Sequence, residues 1–215
     1  MVRLLCILIG YIFGLFQTGY IYGKFKGIDI REHGSGNAGT TNALRTLGTK
    51  AGIITFVGDC FKCVLAVVTV RLIFSGEYGD IKPLLTVYTG LGVVLGHNYP
   101  FYLKFRGGKG IASTAGLILT LDPLLSLIAL ATFGAAVGIT KYVSLGSLLL
   151  AAEFLVGVII YGFLGRWNLS QPQLIEMYIV VAVITVMAFF RHRRNIKSLV
   201  KGTERKIGEK AVNHK

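Results

Sequence analysis

Residues 51–74, AGIITFVGDCFKCVLAVVTVRLIF, form a run of 24 positions in which only Asp59, Lys62 and Arg71 carry charge. As a helix rising about 1.5 Å per residue this run would cover roughly 36 Å, more than the ~30 Å of bilayer hydrocarbon. Asp59 and Lys62 stand three residues apart, so on a helix they share a face and pair. Ionisable residues inside an apolar span are costly and seldom idle. The stretch therefore reads as a membrane helix with a purpose beyond spanning.

Runs of the same kind recur at 3–23, 84–99, 107–121, 123–140, 143–164 and 174–190. The whole chain is 53% hydrophobic with 15% charged residues, and its mean hydropathy is +0.64. Soluble domains carry about a quarter charged residues. The expectation is a single integral membrane domain over 1–215, an all-α membrane protein built as a seven-transmembrane-helix bundle. Because 107–121 is short and opens on glycines, five spans plus a re-entrant hairpin is the fallback. The first apolar run has no basic leader beyond Arg3 and no small-residue cleavage site, so it reads as a span rather than a signal peptide. Gly10/Gly14, Gly92/Gly96 and Gly134/Gly138 have the spacing of close helix contacts, here expected within one bundle.

Charge gives the orientation. Five basic residues lie in 24–50 (Lys24, Lys26, Arg31, Arg45, Lys50), three in 100–109 (Lys104, Arg106, Lys109), and Lys141 stands alone. Nine more fill the tail: Arg191, Arg193, Arg194, Lys197, Lys201, Arg205, Lys206, Lys210 and Lys215. The opposite side has only Arg3, Arg71, Lys82 and Arg166. The positive-inside rule then predicts an outside N-terminus and a cytoplasmic C-terminus. It also accounts for the net charge of +13 without nucleic acid, since the cations occupy short loops between apolar runs. Cys6, Cys60 and Cys63 sit in apolar stretches and show no metal-ligand pattern.

Three polar segments fall on the predicted cytoplasmic face. The first, His33 to Arg45, reads HGSGNAGTTNALR. Its glycines expose backbone N–H groups, Thr41 or Asn42 can cap a helix whose N-terminus attracts anions, and Arg45 adds a forked cation. The second, Gly96 to Gly110, places Gly107, Gly108 and Gly110 around Lys109 like a phosphate cradle. It is not a nucleotide loop, because Gly110 follows the lysine where Ser or Thr is required. The third, Arg191 to Lys197, puts His192 and Asn195 on one helix face; His192 can bind phosphate or act as a base. Ser144 is a further candidate, beside Lys141. Glu153 lies mid-span with no evident partner. The carboxylates on this face (Asp29, Glu32, Glu204, Glu209) form no paired cluster, so metal chemistry is disfavoured and cations with backbone donors would handle anions directly.

These three segments resemble the bacterial acyl-phosphate-dependent glycerol-3-phosphate acyltransferases over essentially the whole chain. The family pattern GSGNxGxTNxxR matches Gly34–Arg45, and GHxxPxxxxFxGGKGxA matches Gly96–Ala112. HxxNIxRLxxGxE matches His192, Asn195, Ile196, Leu199, Gly202 and Glu204. Ser198 departs from a usual basic residue, Thr40 from Ala, and Cys63 from Gly. The resemblance implies acyl transfer from acyl phosphate to the 1-hydroxyl of glycerol 3-phosphate, giving 1-acylglycerol 3-phosphate and phosphate. It places the protein in the bacterial cytoplasmic membrane with a cytoplasm-facing site.

By motif, Ser35, Arg45, Lys104, His192 and Asn195 would carry catalysis. Gly36, Asn37, Gly39, Thr41, Asn42, His97, Gly107, Gly108, Lys109, Gly110 and Ser144 would bind substrate. Acyl phosphate is already activated, so no cofactor and no metal is expected. The partners are the two substrates and the bilayer, with a monomer as the default. The general base stays open between His192 and a substrate phosphate oxygen; an acyl-Ser35 intermediate lacks a His/Asp relay. A phosphate or organophosphate transporter is the rival class, but it would place its site at the midplane between inverted repeats, and no repeat is visible.

Overall fold

The computed structural model describes residues 1–74 and 76–209, so Lys210 and Lys215 of the basic tail lie outside the described residues. The described residues form ten α-helices: α1 (Val2–Gly14), α2 (Thr18–Phe25), α3 (Thr40–Leu47), α4 (Thr49–Phe74), α5 (Lys82–Asn98), α6 (Ile111–Leu121), α7 (Pro123–Thr140), α8 (Val143–Phe163), α9 (Gln171–Arg191) and α10 (Arg193–Val200). The described residues form no strand. Among the described residues, five segments are long and apolar enough to cross a membrane: Val2–Phe25, Thr49–Phe74, Pro123–Thr140, Val143–Phe163 and Gln171–Arg191. The all-α membrane class is as expected. The expected seven full spans are not all present by length, because α5 has 17 residues and α6 only 11. The latter covers about 16 Å, half of the ~30 Å hydrocarbon.

Local sequence sets the helix ends. Asp122 caps α7 by accepting from Leu124 N–H at 2.8 Å and Leu125 N–H at 2.9 Å, with Pro123 as the first helical residue. Ser170 and Gln173 form a capping box at the start of α9.

The first span is broken at 15–17, and the freed carbonyls are met by buried side chains. Gln17 donates to the Gly14 and His97 carbonyls, both at 3.1 Å. Lys62 donates to Phe16 O at 2.6 Å. Asp59 and Lys62 do pair, at 2.9 Å.

Two of the glycine pairs pack on each other. A Cβ at Gly10 or Gly14 would strike α5 backbone at Thr89 or Val93, and one at Gly92 or Gly96 would strike α1 at Ile7 or Tyr11. The α1–α5 crossing is thus backbone against backbone, as small residues allow. Gly134 and Gly138 differ: among the described residues a Cβ at either would meet no neighbouring element within 4 Å, so this pair marks no close helix crossing. Glu153 leaves Oε2 buried without a partner.

The two ends of the bundle differ in character. At one, Arg3 of α1 pairs with Glu176 of α9, and Tyr88 of α5 donates to the same carboxylate at 2.7 Å. At the other, the loops 28–39, 99–110 and 141–142 meet the chain beyond α9.

Candidate active site

The short α6 creates the site. Gly110, its N-cap, faces Val94 and Asn98 of α5. The loop reaches that point by pairing back along the end of α5: Gly107 N–H donates to Asn98 O at 3.2 Å and Gly108 N–H to His97 O at 3.0 Å. A side chain at either glycine would collide, at Gly107 with α5 backbone and at Gly108 with the His97 ring. Arg191 holds the outer side of the turn, donating from Nε to Gly108 O at 3.0 Å and from Nη2 to Gly107 O at 3.0 Å. The start of α6, from Gly110 to Ala112, lines a cavity of about 430 Å³, within the usual range for ligand sites. The dipole and open donors of a helix N-terminus favour an anion there.

The cavity has two chemical halves. Its polar end collects Ser35, Asn37, Thr41, Arg45, Lys109 and Ser144, together with His192, Asn195 and Glu204. Its apolar end is formed by Phe56 of α4, Ile118 and Leu119 of α6, and Leu127, Leu130 and Phe133 of α7. Phe56, Leu119, Leu127 and Leu130 are also exposed on the outer surface of the bundle. This half is therefore a groove open sideways between α4 and α7, with α6 as its floor.

Most residues chosen from the sequence meet at this cavity. Ser35, Asn37, Gly39, Thr41, Asn42, Arg45, His97, Lys109, Gly110, Ser144, His192 and Asn195 line it. Gly36, Gly107 and Gly108 do not; the last two shape the turn beneath it. Lys104 is the main displacement. It takes a left-handed conformation (φ 54°) after a short 3₁₀ turn and is exposed. The cation of this loop that reaches the cavity is Lys109, because the glycine turn carries the chain inward only after residue 106.

The helix-cap expectation is also corrected: α3 begins at Thr40 with Gly39 as N-cap. Asn42 instead braces the preceding loop. Its Oδ1 accepts from Ser35 N–H at 2.8 Å, and its Nδ2 donates to Ile30 O and Asn37 O at 2.9 Å and to His33 O at 3.0 Å. Its side chain is spent on holding Ser35 and Asn37 at the rim.

The sequence reading missed the role of Glu204. Its Oε1 accepts from Ser144 Oγ and from Asn195 Nδ2, each at 2.7 Å. The chain around it straps the mouth: Arg45 Nη2 donates to Arg205 O at 3.0 Å, and Ile207 N–H to Lys141 O at 2.8 Å. The signal in the sequence was its place in the HxxNIxRLxxGxE pattern, nine residues beyond Asn195.

Burial tunes the ionisable groups. It pushes Lys109 down to about 8, against the opposing pull of Glu204. Lys109 also donates to Asn195 Oδ1. Burial lowers Arg45, with Glu204 again opposing, and the guanidinium stays charged. His192 is held down to about 4, by burial first and then by Lys109. Its Nδ1 lies 2.8 Å from Ala188 O. A carbonyl only accepts, so Nδ1 carries the proton and Nε2 offers a lone pair. Among the described residues, no group of three or more His, Cys, Asp or Glu is placed to hold a metal ion.

Comparison with known proteins agrees in kind. The family model described as glycerol-3-phosphate acyltransferase matches residues 4–202. A glycerol-3-phosphate acyltransferase of Thermoanaerobacter sp. (strain X514) is 42% identical over 211 residues, covering 98% of each chain. That of Bacillus subtilis (strain 168) is 41% identical over 204 residues, covering 94% of this chain and 96% of its own. Among solved structures, PlsY (YgiH), described as an integral membrane glycerol 3-phosphate acyltransferase, superimposes in its glycerol 3-phosphate form with a TM-score of 0.82. It shares 31% identity, covering 97% of this chain and 96% of that one. Its lysophosphatidic acid form gives 0.79 at 30% identity.

Proposed function

The chain belongs to the glycerol-3-phosphate acyltransferase family, and from that premise we propose that its cavity transfers a fatty acyl group from acyl phosphate to the 1-hydroxyl of glycerol 3-phosphate. The products are 1-acylglycerol 3-phosphate and inorganic phosphate, at the entry to phospholipid synthesis. One observation carries the reading: a single cavity joins an anion end, built from Arg45, Lys109 and the α6 N-terminus, to an apolar groove open to the side. Acyl phosphate has that same polarity, a phosphate head on an apolar chain, and its reactive carbonyl lies at the junction.

The chemistry follows from positioning and charge. Ser35, Asn37, Arg45 and Lys109 with the α6 N–H groups hold the two phosphates close together. The glycerol hydroxyl oxygen bonds to the acyl carbon, and the bond from that carbon to the bridging phosphate oxygen breaks. His192 is neutral at physiological pH and accepts from the hydroxyl through Nε2, aiming it. A base with a pKa near 4 takes little proton at neutral pH, so the hydroxyl proton goes to a phosphate oxygen of the substrate. Glu204 holds Ser144 and Asn195 in place until substrate arrives.

In the membrane, the α1–α2 segment, α4, α5, the half-length α6, α7, α8 and α9 make seven passes, with the N-terminus outside and the site on the cytoplasmic side. The support is the concentration of basic residues at the cavity end of the bundle.

The test is to incubate purified protein with acyl phosphate and glycerol 3-phosphate, measuring phosphate release and lysophosphatidate. Release that depends on both substrates is expected. No release, or equal activity with acyl-coenzyme A, defeats the reading. A single-turnover trap with labelled acyl phosphate checks direct transfer, since acylated protein would contradict it.

A further inference from the structure

We propose that Lys62, which does not line the cavity, is a positioning residue for acyl transfer: its ammonium fixes the His97 ring as the Nε2–H tautomer against Gly108, in the turn that carries Lys109 into the cavity. This rests on the acyl-transfer reading of the cavity, which His97 lines.

Lys62 is buried in α4 and surrounded by acceptors. Its Nζ lies 2.6 Å from Phe16 O, 2.9 Å from Asp59 Oδ1 and 2.8 Å from His97 Nδ1. Asp59 Oδ1 also accepts from Thr18 Oγ1 at 3.0 Å. An ammonium has three N–H donors and no lone pair. The ring nitrogen facing it must therefore accept, and the ring's one proton must sit on Nε2. That edge of the ring faces Gly108, where an added Cβ would strike Nε2. The backbone bond from Gly108 N–H to His97 O holds ring and turn together.

The position matches the chemistry. His97 lines the cavity together with Lys109 and Gly110, and its backbone carbonyl anchors the turn that brings both there. His192 shows the opposite edge, with Nδ1 bonded to Ala188 O and Nε2 free to accept. The charged groups facing the His97 ring are Asp59 and Lys62 from α4 and Arg191 from α9.

Lys62 also meets the carbonyl freed at the break in the first span, so loss of activity in a variant would not by itself separate positioning from stability. The deciding readout is the tautomer. Full-length protein labelled with ¹³C,¹⁵N-histidine is studied by NMR, with His97 assigned by the signal that His97→Gln removes. A neutral Nε2–H ring is expected in the wild type between about pH 6 and 8, where a free histidine titrates. In Lys62→Met the ring should become a tautomer mixture. Its kcat should fall about 10- to 100-fold, as when an orienting partner is lost, with KM for glycerol 3-phosphate little changed, and Lys62→Arg should recover part of the loss. A wild-type ring that is Nδ1–H or doubly protonated overturns the proposal, and needs no variant to fold. So does a folded Lys62→Met protein with an unchanged ring and kcat within about twofold. Absence of acyl transfer in the wild type would instead defeat the reading of the cavity, while the NMR result would still report the Lys62–His97 bond.

Discussion

Replacing Lys109 by arginine should move the alkaline limit of the reaction. Burial at the cavity floor lowers the Lys109 ammonium to about 8, despite the stabilising charge of Glu204. About nine in ten Lys109 side chains are then protonated at pH 7, half at pH 8 and about one in ten at pH 9. If the charged form is needed to hold phosphate, kcat/KM should fall about tenfold per pH unit above 8, since this parameter reports the free enzyme. A guanidinium remains charged beyond pH 12, so the limb should vanish from the accessible range in Lys109→Arg. Its rate at pH 7 should be lower, because a planar fork does not replace an ammonium bonded to Asn195. The midpoint, not the rate, is diagnostic. The assay is glycerol-3-phosphate-dependent phosphate release between about pH 6 and 10, with spontaneous hydrolysis of acyl phosphate subtracted. A wild-type profile flat to pH 10, or an Arg variant with the same limb, would refute the assignment of Lys109 as the phosphate-binding cation.

Three further outcomes follow from the same geometry. Glu204→Gln removes the anion that favours protonated Lys109, so its kcat/KM profile should turn down at a lower pH than the wild type; a shift upward would contradict the placement. Arg45→Ala should cost about 10²–10³-fold in kcat, the usual loss for one donor to developing charge, with thermal stability changed little; retained turnover would remove Arg45 from the site. Leu130→Trp, on the exposed edge of the groove, should raise KM for acyl phosphate and leave KM for glycerol 3-phosphate alone; equal effects on both would mean the groove does not take the acyl chain.

The spans were legible because a bilayer imposes one strong rule, a long apolar run. Asp59 and Lys62 could be paired from spacing alone because a helix puts i and i+3 side by side. The Gly10/Gly14 and Gly92/Gly96 pairs likewise announced close contact, though not that each was the other's partner. What spacing could not give was direction within a loop. Lys104 and Lys109 are five residues apart in one basic segment; the glycines around Lys109 marked a cradle, but not that the loop would leave Lys104 outside it. The choice is made by Gly107 and Gly108, which lie against the end of α5 and turn the chain inward between the two lysines.

The same limit explains why Asn42 was read as a helix cap and Glu204 was passed over as a site residue. Each is defined by atoms distant in the chain: Asn42 by the carbonyls of 30, 33 and 37, Glu204 by Ser144 sixty residues earlier. The short α6 shows how the legible and illegible parts meet. Its deficit in length is visible in the sequence as an apparent flaw in a span. In the bundle that deficit leaves a helix N-terminus below the rim, a lysine beside it, and lateral access from the hydrocarbon. A full-length α6 would fill that space and remove the junction where a charged head and an apolar chain can be held at once. The departure from the spanning rule is therefore the feature from which the site is made.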